Sequence, residues 1–181
     1  MCRGAVQMLK FQIRSATLPD FATIIRLVHN FLIEMYGVSS TAIYDWGEAW
    51  QDFETRLLQT LNRKEDDEFA YPCAADHRVE IAEVVGDEAQ PIGLIEASIL
   101  DPAPIFRPVR IVHIHAVYVR PHYRRRGVGT ALLQSAMEWG RQHQCSQAQL
   151  SVLPLNPARQ LYRTLGFNGF GTELRKELRY S

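Results

Sequence analysis

Three cysteines in 181 residues, Cys2, Cys73 and Cys145, are odd in number and widely spaced, which argues against a disulfide scaffold. They also lack metal-ligand spacing, so the expectation is no metal site and a reducing, cytoplasmic setting. Charge of one sign is lacking too. Twenty Lys plus Arg balance twenty Asp plus Glu, so no overall field draws the chain to nucleic acid or an anionic membrane, and any anion site must be local. No uncharged apolar run reaches the roughly 18 residues needed to span a bilayer. The stretch Met1 to Lys10 does not read as a signal peptide, and Cys2 stands where a myristoylation signal needs glycine. Repeats, low-complexity tracts and linkers are absent, so a tail over 1–10 followed by one domain over 11–181 is expected. The chain is 46% hydrophobic, which suffices for one sizeable core.

Two periodicities divide the sequence. Phe11 and Ile13 suggest a short strand, and Thr17, Pro19 and Asp20 are start signals for a helix. Its apolar residues Phe21, Ile24, Ile25, Leu27, Val28, Phe31, Leu32 and Met35 recur every three or four positions, and Gly37 is the expected stop. Ser39 to Thr41 offer caps for a second helix spaced by Trp46, Trp50, Phe53, Leu57, Leu58 and Leu61; Asn62 to Asp76 reads as a polar loop. From Val79 the rhythm alternates, predicting a hairpin whose turn is Gly86 to Pro91 and whose second strand is Ile92 to Leu100. The longest strand candidate, Val109 to Val119, leads through Arg120 to Tyr123 into three arginines, two glycines and a helix spaced by Leu132, Leu133, Ala136, Met137 and Trp139. Gln149 to Leu153 supplies a strand parallel to the one before that helix. Asn156-Pro157 opens a short helix over Ala158 to Leu165 closed by Gly166, and Thr172 to Tyr180 alternates as a terminal strand. The fold class expected is α/β (α+β), a mixed sheet with an antiparallel meander before a parallel pair.

The segment Arg124 to Gly129 is suited to an anion. The first turn of a helix leaves about four N–H groups without partners, Gly127 and Gly129 let a phosphate approach the backbone, and Arg124, Arg125 and Arg126 add charge. A solvated basic turn is the plain alternative. Placement after a long apolar strand and before a helix favours a ligand. The loop has neither the Gly-Lys-Ser/Thr of a nucleotide P-loop nor the third glycine of a dinucleotide fingerprint.

These residues give the chain a clear resemblance to the GNAT superfamily of N-acetyltransferases. The strand "IVHIHAVYV" runs into Arg124, Gly127 and Gly129 of an R/Q-x-x-G-x-G/A motif, and Leu161 to Phe167 matches a later Leu-Tyr-x-x-Leu-Gly-Phe. The element order agrees from about Phe11 to Tyr180. The resemblance implies acetyl-CoA as co-substrate, its pantetheine arm paired with the backbone of Val117, Tyr118 and Val119 in a splay between two strands. Its pyrophosphate would be held by Arg124, Arg125, Arg126, Gly127, Val128, Gly129 and Thr130. The family often has Asn seven residues before the motif tyrosine; here Leu155 stands there and the asparagine is Asn156, which either caps the helix at Pro157 or contacts coenzyme.

Acetyl transfer from a thioester to an amine needs a neutral amine, a stabilised oxyanion and a proton for the thiolate. Tyr162 is the family-matched acid, against the alternative of a packed aromatic. His113 and His115, two apart on a strand, face one side. His115 is the first candidate base and Glu96 the second, while hydrogen-bonded core roles remain open for both histidines. The function expected is direct acetyl transfer to a primary amine of a small molecule, peptide or protein, with a non-catalytic acyl-CoA-binding module as the alternative. Relatives pair as dimers, so a homodimer is an expectation of the resemblance that no residue here decides; nucleic acid and membrane are not expected partners.

Overall fold

A computed structural model of the chain describes residues 9–38, 46–62, 77–86, 89–100 and 110–171. In chain order these form β1 (Phe11–Ser15), α1 (Phe21–Val38), α2 (Trp46–Leu61), β2 (His77–Val84), β3 (Gln90–Leu100), β4 (Ile111–Val119), α3 (Val128–Gln142), β5 (Gln147–Leu150) and α4 (Arg159–Thr164). The strands make one sheet in the order β1-β2-β3-β4-β5. Neighbours are antiparallel up to β4, and β4 pairs parallel with β5. The mixed α/β architecture read from the periodicities is the one observed. The tail, the caps at Ser39 to Thr41, nearly all of the 62–76 loop, the break after Leu100 and the terminal strand at Thr172 to Tyr180 lie outside the described residues.

Burying an apolar stripe requires a partner surface, and the sheet supplies two. On one face Ile24, Leu27 and Val28 of α1 and Leu57 of α2 pack on Val79, Ile81, Leu94, Ala116 and Tyr118. On the other, Val128, Leu132, Leu133, Ala136 and Trp139 of α3 and Tyr162 of α4 pack on Ala82, Ile92, Ile95, Ala97, Ile99, Val112 and Ile114. Gly140 lets α3 lie close to the sheet: a Cβ there would sit 2.6 Å from Cγ1 of Val112.

Besides β5, which spans Gln147–Leu150 and not Gln149 to Leu153, three details depart from the sequence reading. First, α1 runs through Val38, so Gly37 lies inside the helix and does not end it. Second, β3 has 11 residues and β4 has 9, so the strand before the loop is not the longest. Pro91, taken as turn, belongs to β3 beside a register shift at Ala82/Glu83, where a residue without an N–H is tolerated. Third, α4 begins at Arg159 after a turn; Asn156 opens that turn, its Oδ1 accepting the Ala158 N–H at 2.8 Å.

Candidate active site

The geometry of the site begins with one extra residue in β4. Glu96 pairs with Ala116 and Ala97 with Ile114, so His115 has no counterpart on β3. Such a bulge bends the strand and resets its alternation. Before it, Val112 and Ile114 face α3; after it, Ala116 and Tyr118 face α1 and α2. Pairing with β5 stops at the same point, Ile114 opposite Leu150. From His115 to Val119 β4 has no strand on that side among the described residues. The N–H of Arg120 bonds to the Ile92 carbonyl at 2.8 Å, so by alternation Tyr118 turns its backbone groups to β3 while Val117 and Val119 turn theirs to the gap.

At the upper end of the gap stands the Arg124 to Thr130 segment. Arg125 has φ 60° and Gly127 φ 85°, a left-handed pair of the kind that curls successive N–H groups into an anion-binding hollow. The first helical bond of α3 runs from Ala131 N–H to Gly127 carbonyl at 3.0 Å, which leaves the N–H groups of Val128, Gly129 and Thr130 ahead of it. Among the described residues no atom lies within 4 Å of where a Gly127 Cβ would be, so its positive φ and not crowding favours glycine there. Gly129 is the reverse case: a Cβ would meet Leu161 of α4 at 3.3 Å and Val119 at 3.7 Å. The hollow, its free N–H groups and the exposed Arg125 and Arg126 side chains fit a pyrophosphate.

Arg124 is differently employed. Its Nε donates to the Val119 carbonyl at 2.8 Å, and its Nη2 donates to both Glu34 oxygens at 2.8 and 2.6 Å. The guanidinium also lies 5.7 Å from the centroid of the Tyr118 ring. This side chain ties α1 to the end of β4. Asn156 caps its turn and points Nδ2 to Met35 Sδ at 3.5 Å.

Tyr162 lies on the α3 side, 9% exposed, with Val117 and Val119 packed against the same core. Its ring meets Phe167 at 6.1 Å between centroids, near edge-on. Among the described residues its hydroxyl makes no hydrogen bond, and burial raises its pKa, so it remains a proton donor.

The opposite face carries a polar group of side chains that the register brings together. His115 Nε2 and Ser98 Oγ are 2.7 Å apart, and the His113 and His115 rings stand edge to face at 4.7 Å, on one side of the strand as their spacing predicts. His77 Nε2 lies 2.9 Å from Oε1 of Glu96, and Arg56 Nη2 lies 3.9 Å from the same oxygen. Part of His115 is open to solvent. Its pKa is nonetheless lowered to about 4, first by burial of the ring and then by His113, His77 and Arg56, against the upward pull of Glu96. At neutral pH the imidazole is therefore unprotonated. Burial would raise the Glu96 carboxyl, but the hydrogen bond from His77 and the charges of His77, His115 and Arg56 outweigh it, and the net shift is downward. Sequence reasoning found Glu96 and His115 and missed His77, Ser98, Thr60 and Arg56. His77 is two residues before Val79, and continuing that alternation backwards would have placed it on the same face.

Comparison with known proteins follows this geometry. A model of the Acetyltransferase (GNAT) family matches residues 42–167. Aminoglycoside N(6')-acetyltransferase type 1 of Acinetobacter haemolyticus is 26% identical over 144 residues, which is 71% of this chain and 86% of that protein. Thialysine N-epsilon-acetyltransferase of Sus scrofa is 38% identical over 58 residues, 32% of this chain and 34% of the relative. Among solved structures, AAC(6')-Iy in complex with a bisubstrate analog of CoA and acetylneamine superposes with TM-score 0.63 at 19% identity, covering 94% of this chain and 99% of that one. No helix among the described residues is long and apolar enough to cross a membrane.

Proposed function

The chain belongs to the acetyltransferase (GNAT) family and is an acetyl-CoA-dependent N-acetyltransferase; from that premise we propose that it transfers acetyl directly to a primary amine of a small molecule within a ternary complex. The observation that carries this reading is the placement of side chains on the two faces of the sheet: Tyr162 lies on the α3 face, and His115 and Glu96 lie on the α1–α2 face.

Acetyl-CoA supplies the activated acyl group. The N–H groups of Val128, Gly129 and Thr130, with Arg125 and Arg126, hold its pyrophosphate, and the gap-facing backbone of Val117 and Val119 pairs with its amides. The Tyr162 hydroxyl donates to the sulfur as that atom gains charge. On the other face the unprotonated His115 accepts the amine's proton, directly or through water, and the Glu96 carboxylate stabilises the imidazolium that forms. That the relatives above carry names of amine acetyltransferases supports a small-molecule amine over a protein acceptor.

An amine panel read by release of free CoA thiol tests the proposal. Tyr162→Phe is expected to lower kcat on the order of a hundredfold, the lower range for a lost general acid, with the KM for acetyl-CoA unchanged. No turnover with any amine, despite acetyl-CoA binding, would establish the non-catalytic binding module instead.

A further inference from the structure

Glu96 does not stand alone in its cluster. His77 opens β2, where it is paired in register with Ser98, and Val79 is paired with Glu96. His77 and Glu96 are thus diagonal neighbours on one face, the reach at which cross-strand side chains meet. Both are nearly closed to water, with side chains 3% and 8% exposed. Behind the ring, Nδ1 of His77 lies 2.8 Å from Oγ1 of Thr60, and that hydroxyl lies 2.9 Å from the Arg56 carbonyl in α2.

The hydroxyl has one proton and two places to give it. Given to His77 Nδ1, it leaves the imidazole neutral, with its remaining proton on Nε2 directed at Glu96. Turned instead to the Arg56 carbonyl, it becomes an acceptor for an Nδ1–H, and the ring then carries both protons. In each arrangement every one of these polar atoms is bonded, and in each Nε2–H donates to Glu96. The Arg56 carbonyl already accepts a helical N–H, so losing the hydroxyl costs it little. An arrangement with the proton on Glu96 opposes the downward shift of that carboxyl.

We propose that His77, backed by the Thr60 hydroxyl, is the positioning residue of Glu96, holding it as an ionised hydrogen-bond acceptor whether or not the ring gains a second proton. Among the described residues the groups that act on Glu96 are His77 from β2, His115 from β4 and Arg56 from α2, and of these His77 is the one in direct hydrogen-bond contact; His113 stands behind His115, ring to ring. Thr60 makes α2 part of the device, so the helix layer on the acceptor side braces the carboxylate that faces it. The inference rests on the reading that Glu96 assists the amine side of the reaction.

The test follows the Glu96 carboxyl by carbon NMR in protein labelled at glutamate and assigned with Glu96→Gln, beside the pH profile of kcat/KM. In His77→Ala the Glu96 midpoint is expected to rise by about one pH unit or more, the usual effect of losing a close positive or hydrogen-bonding partner. The acid limb of kcat/KM should rise with it. His77→Gln, which keeps an N–H donor, should stay within a few-fold of the parent, and KM for acetyl-CoA should not change. Thr60→Val gives a second route should His77→Ala fail to fold, with a smaller shift in the same direction. An unmoved midpoint in the folded variants overturns the proposal, as does a midpoint that moves while the acid limb stays. Full turnover in Glu96→Gln would sink the assignment of Glu96 to the reaction, whereas the carboxyl titration reads the His77 contact independently of turnover.

Discussion

His115 and Glu96 share a wall of the gap and respond to acid with the same sign but in different pH windows. For His115 the folded state holds the pKa near 4 against an ordinary 6.5, so between those values the unfolded chain binds a proton that the folded one refuses. Stability from this residue is fully present above about pH 6.5 and is lost as pH falls through about 4. Urea unfolding at pH 7.5 and at pH 4.5 should therefore show a larger acid loss in the parent than in His115→Gln. Equal losses would show that the ring titrates alike in both states. His113 is also lowered by burial, so the double variant His113→Gln with His115→Gln should flatten the curve further. Glu96 has the same sign in a lower window: its carboxyl is also depressed, so its contribution is fully present above the ordinary carboxylate value and is lost as pH falls through its lowered folded value.

Elements, unlike single groups, are placed by close approach. Gly140 of α3 admits Val112 of β4, and an alanine Cβ would fall 2.6 and 2.8 Å from two of its carbons. Gly140→Ala should therefore cost about 1–3 kcal/mol, the range for overpacking a tight core, and lower Tm by about 2–12 °C in a chain of this size. Thermal denaturation checks it, with Gly169→Ala, which among the described residues has nothing within 4 Å, as the tolerant control. The same scale explains what the sequence reveals. Helix α1 is legible because Ile24, Leu27 and Val28 keep helical spacing, and the hollow is legible because Gly127 adopts a backbone that few other residues share. What couples distant segments leaves no local trace: Glu34 meets Arg124 from 90 positions away, and nothing in either neighbourhood announces it. The β4 bulge is also silent in the alternation of "IVHIHAVYV", since an extra residue in one strand is defined only by the strand opposite. Gly37 misleads because a glycine at a helix end signals a stop only if the backbone there turns left-handed, and among the glycines positive φ is found at Gly127 and Gly166.

For the molecule as a whole, acetyl-CoA is a ligand of the native state and of no other, so it must raise stability by mass action. At about 100 times its Kd the gain is about 2.7 kcal/mol, equivalent to roughly 5–11 °C in Tm at this chain length. Gly127→Asp, which sets a carboxylate at a positive-φ position in the anion hollow, should abolish the shift, as read by thermal unfolding with and without coenzyme. Gly129 is the poorer choice for this purpose because its Cβ would press on α4 and disturb the fold itself. The sheet carries two register shifts, one at Ala82/Glu83 and one at Glu96/Ala97, and the second lies beside the gap. In the language of crystals, His115 is a dislocation: a single inserted unit around which one half of the lattice is displaced against the other. Excising it would restore an unbroken β3–β4 ladder and leave both flanking halves facing their own helices. A chain lacking that one residue would be a better sheet and a worse enzyme.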